Sequence, residues 1–272
     1  MPIQTDFHLH SSFSSDSSTP MEAMIRGGIE LGLTHMCFTE HHDPDNPVSP
    51  GETPEKYLLN MDSYLYDFLR YQERYQDRIT LLLGVELGLQ KQTTEENLAF
   101  AKNWPFDFII GSSHVAEGQD PCFPSFYEGR SEKEAYCSYF SSVLENCRVF
   151  SDFDVYGHLD YVVRYGPNRD RNYRYEDYRD VFDEILRTLV AKGKGIEVNT
   201  SGVREGLREL HPATGILLRY RELGGEILTI GSDAHTPRDL AAAFSQAETI
   251  AKDCGFRYYT IFEKRTPKFL KF

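Results

Sequence analysis

The sequence contains few cysteines and no long apolar run. Its five cysteines are odd in number and form no C-x-x-C pair. None of the apolar runs could span a membrane, and the first residues, Met-Pro-Ile-Gln-Thr-Asp, lack the charged and apolar segments of a secretory signal. We therefore expect a cytoplasmic protein that has no membrane partner.

Positive charge is also scarce. The chain has 29 Lys and Arg against 42 Asp and Glu, which gives a formal net charge of −13. A surface of this sign repels a polyanion, so nucleic acid is not expected as a partner, whereas a small anionic substrate meets less repulsion. The glycine-rich patterns G-x-x-x-x-G-K-[ST] and G-x-G-x-x-G are missing, so a nucleotide cradled by a glycine loop is not indicated.

What the chain does contain is enough material for a large core. Of its 272 residues, 40% are hydrophobic, with 18 Phe and 17 Tyr among them, which indicates a globular protein. The sequence shows no internal repeat, low-complexity linker or long charge block. We expect residues 1–272 to form a single domain, a size that barrels of alternating strands and helices often reach.

Seven short runs rich in β-branched and aromatic residues predict strands. They cover residues 3–9, 34–39, 79–87, 106–112, 154–159, 195–199 and 226–232. Helical spacing is clearest over 178–190, and helices are also predicted over 20–32, 54–77, 95–103, 132–147, 212–223 and 238–254. Strands that alternate with helices build a parallel sheet, either open or closed, and the nearly continuous apolar character of these strands favours a barrel. For the basic, aromatic segment 256–272 the sequence indicates only a possible final strand.

Histidines and carboxylates collect at the carboxyl ends of the predicted strands. The members are His8, His10, His41, His42, Glu86, His114, His158, Asp233 and His235. Only two histidines, His35 and His211, fall elsewhere. Enzymes on parallel barrels build their active sites at this edge, so these side chains are expected to converge in one pocket.

The spacing of these residues indicates a metal site. In H-L-H and D-A-H the candidate ligands are two residues apart, and such residues share one face of a strand. Imidazole together with carboxylate favours Zn, Mn or Fe over Ca or Mg. Because the ligands outnumber the needs of one ion, we expect two or three divalent ions.

Other polar residues are candidates for substrate binding and proton transfer. Adjacent strand residues face opposite ways, so at most one of His41 and His42 is a direct ligand unless the strand has ended, and His42 is the second choice. Asp160, two residues after His158, could orient a metal ligand through a hydrogen bond or act as the general acid. His42 is a second candidate for the general acid and could also contact the substrate. Arg164 and Arg204 follow the fifth and sixth strands and could clamp a phosphate, although solvated surface positions are equally compatible with the sequence.

The sequence resembles the polymerase and histidinol phosphatase (PHP) family. The resembling segments are D-F-H-L-H-S at 6–11, T-E-H at 39–41, G-V-E at 84–86, G-S-S-H at 111–114, Y-G-H-L-D at 156–160 and G-S-D-A-H at 231–235. They span nearly the whole chain and look most like the histidinol-phosphatase branch. The resemblance implies a distorted seven-stranded (β/α)7 barrel with a trinuclear metal site.

The resemblance also implies which residues hold each ion. The first ion would take His8, His10, Glu86 and Asp233; the second Glu86, His114 and His158; the third Asp16, His41 and His235. Many members have a histidine where this chain has Asp16, and the added negative charge and harder oxygen ligand would raise tolerance for Mn or Fe. From the residues alone, Asp16 could equally cap a helix or a turn.

These inferences predict hydrolysis of a small phosphate monoester, with L-histidinol phosphate as the expected substrate and a hydroxide that bridges two metals as the nucleophile. A PHP-type nuclease or nucleotide phosphodiesterase is an alternative, which the acidic composition weakens. An amidohydrolase would use similar metals, but no candidate bridging lysine stands at a strand end. A non-catalytic metal-binding PHP domain is less consistent with a chain in which every expected ligand position holds a coordinating residue.

Overall fold

The computed structural model describes residues 3–49 and 51–272, and seven of its strands form one parallel sheet in chain order. The strands are β1 (Thr5–Leu9), β2 (His35–His42), β3 (Thr80–Gly88), β4 (Phe108–Ser112), β5 (Val155–Tyr156), β6 (Gly195–Asn199) and β7 (Leu228–Gly231). Each predicted strand is present. β5 is much shorter than predicted, and β2 continues three residues further.

The first and last strands meet, so the sheet closes on itself. His10 donates its backbone N–H to the carbonyl of Ala234 at 2.9 Å, and Asp233 donates to the carbonyl of His8 at 2.7 Å. The register slips within β1, between Asp6 and Leu9, and β5 pairs through only two residues on each side. These irregularities make the barrel distorted, which confirms the predicted (β/α)7 fold.

Helices follow the strands and cover the outside of the barrel. They are α1 (Met21–Glu30), α2 (Met61–Tyr75), α3 (Thr94–Asn103), α4 (Glu132–Val149), α5 (Arg179–Ala191), α6 (Ser201–Arg204), α7 (Thr214–Glu222) and α8 (Phe244–Asp253). The amphipathic helix predicted over 178–190 is α5. It buries Phe182 and three aliphatic side chains at helical spacing, and the Phe182 ring lies 4.6 Å from that of Phe140 on α4.

Two predicted helices begin later than expected. The stretch from residue 54 starts as a short 3₁₀ turn, Pro54–Tyr57, and α2 begins only after Asn60, whose side chain accepts a hydrogen bond from the Ser63 N–H at 3.1 Å. In the stretch from residue 238, Ala243 adopts a left-handed conformation with φ of 57°, so α8 begins at Phe244. The proline-rich stretch 43–54 includes Pro50, which lies outside the described residues.

The basic C-terminal segment forms an antiparallel hairpin of β8 (Tyr258–Glu263) and β9 (Thr266–Lys271). At its turn, the Lys264 N–H donates to Asp107 Oδ1 at 3.0 Å, and Arg265 Nε donates to Asp154 Oδ2 at 2.6 Å. Asp107 and Asp154 directly precede β4 and β5, so the hairpin lies at the amino ends of the strands. Among the helices of residues 3–49 and 51–272, none combines the length and apolar character needed to cross a membrane.

Candidate metal centre

The carboxyl ends of β1 and β7 bring one group of ligands together. His8 Nε2 lies 3.1 Å from His10 Nε2 and 3.1 Å from Glu86 Oε2. Asp233 Oδ1 lies 3.7 Å from His8 Nε2 and 3.5 Å from His10 Nε2. His8 lies on β1 and His10 directly after it, so the two side chains point to the same side, where Asp233 reaches them as β7 closes onto β1.

Glu86 stands at the centre of a second group. This fully buried carboxylate lies at the end of β3, with Oε1 2.9 Å from His158 Nε2 and 3.3 Å from His114 Nε2. Its other oxygen, Oε2, lies 3.0 Å from His41 Nδ1. Ser112 Oγ donates to Oε1 at 2.6 Å and fixes the rotamer of the carboxylate. One side chain therefore touches ligand candidates from four other strands or strand ends.

A third group is more open to solvent. Asp16, in the loop after β1, has its Oδ2 atom 3.1 Å from His235 Nε2 and 3.5 Å from His41 Nε2. The side chain of Asp16 is 51% exposed and that of His235 27%, whereas the other two groups are almost fully buried. The structure thus places Asp16 beside the histidines rather than at a helix cap.

All nine predicted metal ligands therefore lie together. Four triads could each hold an ion: His10, His41 and His235; His8, His10 and Asp233; His8, Glu86 and His158; and His41, Glu86 and His114. These triads share members, so the assignment of each residue to one ion of a trinuclear site stays a prediction.

The charges in the cluster suit cations. Burial lowers the pKa of His8, but the carboxylates of Glu197 and Glu86 outweigh it and hold that pKa well above the usual value. Burial raises the pKa of Glu86, yet neighbouring His8 and His114 hold it well below the usual value. Burial and the adjacent His41 and His235 lower the pKa of His10 to about 3. The site thus mixes ionised carboxylates with a neutral imidazole.

Two contacts test whether this donor set fits metal ions. The Nε2 atoms of His8 and His10 face each other at 3.1 Å, where two lone pairs repel unless a cation or proton lies between them. His41 Nδ1 is buried, and although Glu86 Oε2 lies 3.0 Å away, the two atoms are not aligned for a hydrogen bond. Imidazole nitrogens mixed with carboxylate oxygens are the donors that Zn and related divalent ions prefer. The residues present therefore fit a cluster of such ions.

Two carboxylates that the sequence did not single out hold the ligand histidines from behind. Glu197 Oε1 lies 2.6 Å from Nδ1 of His8, and Asp43 Oδ1 lies 2.5 Å from Nδ1 of His114. Such contacts fix the tautomer of a metal-binding imidazole and raise its basicity. An acidic residue inside the apolar run G-I-E-V-N was a usable signal for Glu197, whereas Asp43 sits in a proline-rich loop that gave none.

His10 is held in the same way through a hydroxyl. Ser14 Oγ donates to Glu40 Oε2 at 2.6 Å and lies 3.0 Å from Nδ1 of His10. Glu40 also accepts from the backbone N–H and the side chain of Ser11, so it fixes the loop that follows β1. The glutamate of the T-E-H motif therefore orders the loop behind the histidines.

A cavity of about 200 Å³ opens above the cluster. It is lined by Asp16, His41, His114, His158, Asp233 and His235, and on its outer side by Asn46, Tyr57, Asp120, Tyr161, Arg164 and Tyr165, among others. Arg164 is largely buried, with its guanidinium 5.2 Å from the ring of Tyr161. Its Nη2 atom donates to Ser201 Oγ at 2.5 Å and lies 3.6 Å from Asp233 Oδ2. The predicted arginine therefore reaches the edge of the metal cluster.

Arg204 lies beside this cavity and outside the residues that line it. Its terminal nitrogens donate to the carbonyl oxygens of Ser232 and Asp233 at 2.9 and 2.8 Å. The guanidinium therefore holds the segment that carries Asp233 and His235.

His42 and Asp160 are not brought to the metal-lined cavity. Because β2 continues to His42, its ring faces away from that of His41; it stacks on Phe100 at 3.6 Å and accepts the Leu59 N–H at 3.3 Å. Asp160 borders a separate cavity of about 280 Å³, where its Oδ1 atom contacts His211 and its Oδ2 atom accepts the Ala213 N–H. Neither side chain is placed to serve as the general acid, because each is buried in contacts elsewhere.

Known proteins resemble this chain along its whole length. The histidinol-phosphatase of Lactococcus lactis is 32% identical over 263 residues, which cover 94% of this chain and 93% of that protein. A relative from Clostridium acetobutylicum is 33% identical, and the match covers 97% of this chain and 98% of the relative.

A solved structure agrees with these relatives. The crystal structure of histidinol phosphate phosphatase from Lactococcus lactis, complexed with zinc, L-histidinol and phosphate, matches with a TM-score of 0.87 at 30% identity. The match covers 97% of this chain and 98% of that chain. In addition, the family profile of the PHP domain matches residues 6–201, which contain seven of the nine clustered ligands. The chain belongs to the PHP domain family.

Proposed function

We propose that this protein is a metal-dependent phosphatase that hydrolyses L-histidinol phosphate to L-histidinol and phosphate. One observation carries the proposal: the guanidinium of Arg164 stands beside a nine-ligand cluster in the same cavity, with its Nη2 atom 3.6 Å from Asp233 Oδ2. A cavity of about 200 Å³ suits a small monoester better than a polymer. The Lactococcus lactis enzyme, which is similar over the whole chain, was crystallised with zinc, L-histidinol and phosphate.

The residues that would hold two or three Zn, Mn or Fe ions are the nine clustered ligands, grouped around the shared carboxylate of Glu86. When bound, such ions supply Lewis acidity to the phosphoryl oxygens and bring the pKa of water down to about 7. Glu197 and Asp43 keep the imidazoles of His8 and His114 oriented for this role. Residues 1–272 would act as one PHP-type domain.

Arg164 is the proposed binding group for the phosphate. Its position between Ser201 and Asp233 directs one side of the guanidinium toward the cluster, where a planar fork can donate two hydrogen bonds to phosphoryl oxygens. The ring of Tyr161, 5.2 Å from the guanidinium, limits the movement of the arginine side chain. Arg204, next to Asp233, would contribute through its unused N–H groups.

Asp120 is the proposed binding group for the cationic end of the substrate. Of the carboxylates that line the cavity, Asp16 and Asp233 belong to the metal cluster and Asp43 holds His114. Asp120 Oδ1 accepts the Cys122 N–H at 2.8 Å, and no Lys, Arg or His of the described residues forms an ion pair with its carboxylate. An amine or imidazolium is the natural partner of such a partly buried carboxylate.

The test is a comparison of kcat/KM for L-histidinol phosphate, p-nitrophenyl phosphate and bis(p-nitrophenyl) phosphate, with Zn, Mn or Fe supplied in turn. We expect L-histidinol phosphate to be the preferred substrate. Asp120→Asn should reduce that preference and leave hydrolysis of p-nitrophenyl phosphate nearly unchanged. A phosphodiester preferred over both monoesters would move the assignment to the nuclease branch. The cytoplasmic location, like the lack of nucleic-acid and membrane partners, stays a prediction.

A further inference from the structure

A buried carboxylate–imidazole pair lies behind the metal-lined cavity. Asp160 Oδ1 is 2.6 Å from His211 Nδ1, and Asp160 Oδ2 accepts the Ala213 N–H at 2.9 Å. The two residues are 2% and 1% exposed. Both oxygens of Asp160 are therefore occupied, and neither the carboxylate nor the imidazole lines the cavity above the metal ligands. The pair therefore does not face a substrate in that cavity, and proton transfer to it is not the role that its position indicates.

The Asp160 end of the pair begins the turn that carries Arg164. The carbonyl of Asp160 accepts the Val163 N–H at 2.9 Å, which opens the short 3₁₀ turn Tyr161–Arg164. Arg164, the last residue of this turn, donates to Ser201 Oγ at 2.5 Å. The position of the guanidinium thus depends on where the turn starts, and Asp160 fixes that start.

The His211 end fixes the partner of the same arginine. His211 and Asn199, the last residue of β6, exchange backbone hydrogen bonds of 2.9 and 2.7 Å. The Asn199 side chain in turn accepts from Ser201 Oγ at 2.6 Å and from the Ser201 N–H at 3.0 Å. Gly202 packs against the His211 ring so closely that an added Cβ would lie 3.1 Å from Cδ2.

These contacts form a closed ring from Asp160 through Arg164, Ser201, Asn199 and His211 back to Asp160. We infer that Asp160 and His211 are positioning residues, whose hydrogen bond locks the turn of Arg164 against the segment after β6 so that the guanidinium faces the phosphate site. The inference rests on the proposed role of Arg164 as phosphate ligand. In this interpretation Asp160 is not the general acid but a residue that positions Arg164.

The decisive variants change the hydrogen-bond donor at position 211. His211→Leu removes the donor to Asp160. His211→Asn keeps it, because the amide nitrogen of Asn and Nδ1 of His are both attached to Cγ. His211→Gln moves the donor one atom outward, and it replaces the Leu variant if that protein fails to fold. His35→Leu is the matched control, since His35 lies at the far end of β2 with Nδ1 2.9 Å from Thr34 Oγ1.

The readouts are the inhibition constant of inorganic phosphate and the KM for p-nitrophenyl phosphate, in metal-loaded protein with metal content measured by elemental analysis. Because a misplaced binding group costs about 10- to 100-fold, both constants should rise by that factor in His211→Leu, with a smaller change in kcat and unchanged metal content. His211→Asn should restore both constants to within a few-fold of the wild-type values, and His35→Leu should leave them unchanged.

A double-mutant cycle with Arg164→Ala separates positioning from general structural damage. If the pair acts through Arg164, His211→Leu should add little to the effect of Arg164→Ala. Full additivity, or an unchanged phosphate constant in His211→Leu, would overturn the inference alone. An unchanged phosphate constant in Arg164→Ala would instead overturn the proposed role of that arginine, and the inference with it. Neither result depends on which monoester is the natural substrate.

Discussion

Oε1 of Glu197 lies 2.6 Å from Nδ1 of His8, and both side chains are buried. The other oxygen of Glu197 accepts the backbone N–H of His158 at 3.1 Å, so one carboxylate on β6 orients two of the clustered histidines. The contact with His8 leaves its Nε2 atom directed at Glu86 and His10, where a metal ion is expected.

Glu197→Gln should therefore weaken metal binding without removing any ligand. The amide can still accept a hydrogen bond, but it no longer raises the basicity of the imidazole, and losses of this kind are about 10- to 100-fold in affinity. Dialysis against graded chelator followed by elemental analysis measures the effect. Glu145→Gln is the matched control, since Glu145 is half-exposed and pairs with Lys91 at the surface. Equal metal retention in the two variants would contradict the assigned role.

Glu86→Ala should abolish turnover and lower the metal content. Its carboxylate contacts His8, His41, His114 and His158, so its loss removes a ligand shared between ions and leaves the imidazoles facing an empty space. Purified wild-type protein should carry two to three equivalents of Zn, Mn or Fe, measured by elemental analysis after gentle purification. His35→Ala should keep that content, and similar metal loss in both variants would show that the ligands lie elsewhere.

Arg164→Ala should lower kcat/KM by about two to four orders of magnitude while metal content stays constant, because a charge-assisted bidentate contact in a dry pocket is worth several kcal/mol. Arg164→Lys should recover little, since a point charge cannot reproduce the planar fork. Steady-state kinetics with p-nitrophenyl phosphate measures both. Kinetics like those of the wild type in the Ala variant would leave phosphate binding to the metals and to donors near Thr200 and Ser201.

Arg204→Ala should behave differently. Because Arg204 holds the carbonyls of Ser232 and Asp233, its removal should loosen the segment of Asp233 and His235 and lower metal retention as well as kcat/KM. Elemental analysis beside kinetics distinguishes this outcome from pure loss of phosphate binding. Unchanged metal retention with reduced kcat/KM would assign Arg204 to the phosphate alone.

His42 should affect acid stability rather than catalysis. Burial against Phe100 lowers its pKa to about 4, from an ordinary 6.5. Between these pH values the unfolded chain binds a proton that the folded chain excludes, so the stabilising contribution is present above pH 6.5 and is lost as pH falls toward 4. It amounts to up to about 3 kcal/mol.

His42→Phe tests this relationship. The variant keeps the stack on Phe100, loses the acceptor for the Leu59 N–H and no longer titrates. Its free energy of unfolding should be lower at pH 7 but should fall less steeply between pH 6.5 and 4 than that of the wild type, in urea titrations of metal-free protein. Its kcat/KM should stay within a few-fold of wild type. Parallel pH profiles would mean that His42 is not the group responsible.

The sequence was most informative where chemistry and strand order coincide. The position of histidines and carboxylates at strand ends predicted that eight of the nine side chains meet, the resemblance to the PHP family added Asp16, and closure of the barrel brings them together. These eight ligands are recognisable locally, because each stands in a strand or within a few residues of its end. The residues that support them were harder to predict, since Glu197 and His8 are 189 positions apart and neither segment indicates which partner it will meet.

Two assignments depended on details that periodicity does not determine. The placement of His42 turned on where β2 ends; three extra strand residues put His41 inside the barrel and His42 outside. The placement of Asp160 depended on His211, a partner 51 positions away. His211 is brought there by its backbone pairing with Asn199 at the end of β6. In both cases a side chain of suitable chemistry lay near the site in sequence but was directed elsewhere by tertiary contacts.

The C-terminal hairpin and the metal ligands lie at opposite ends of the barrel. Arg265 and Lys264 tie it to Asp107 and Asp154 at the amino ends of the strands, while every clustered ligand lies at or beyond the opposite ends. Changes in the hairpin can therefore alter heat resistance without touching the pocket, and changes in the pocket loops can alter specificity while this base stays intact. Substitutions in the hairpin, whether engineered or natural, can therefore change the stability of the fold with little effect on turnover.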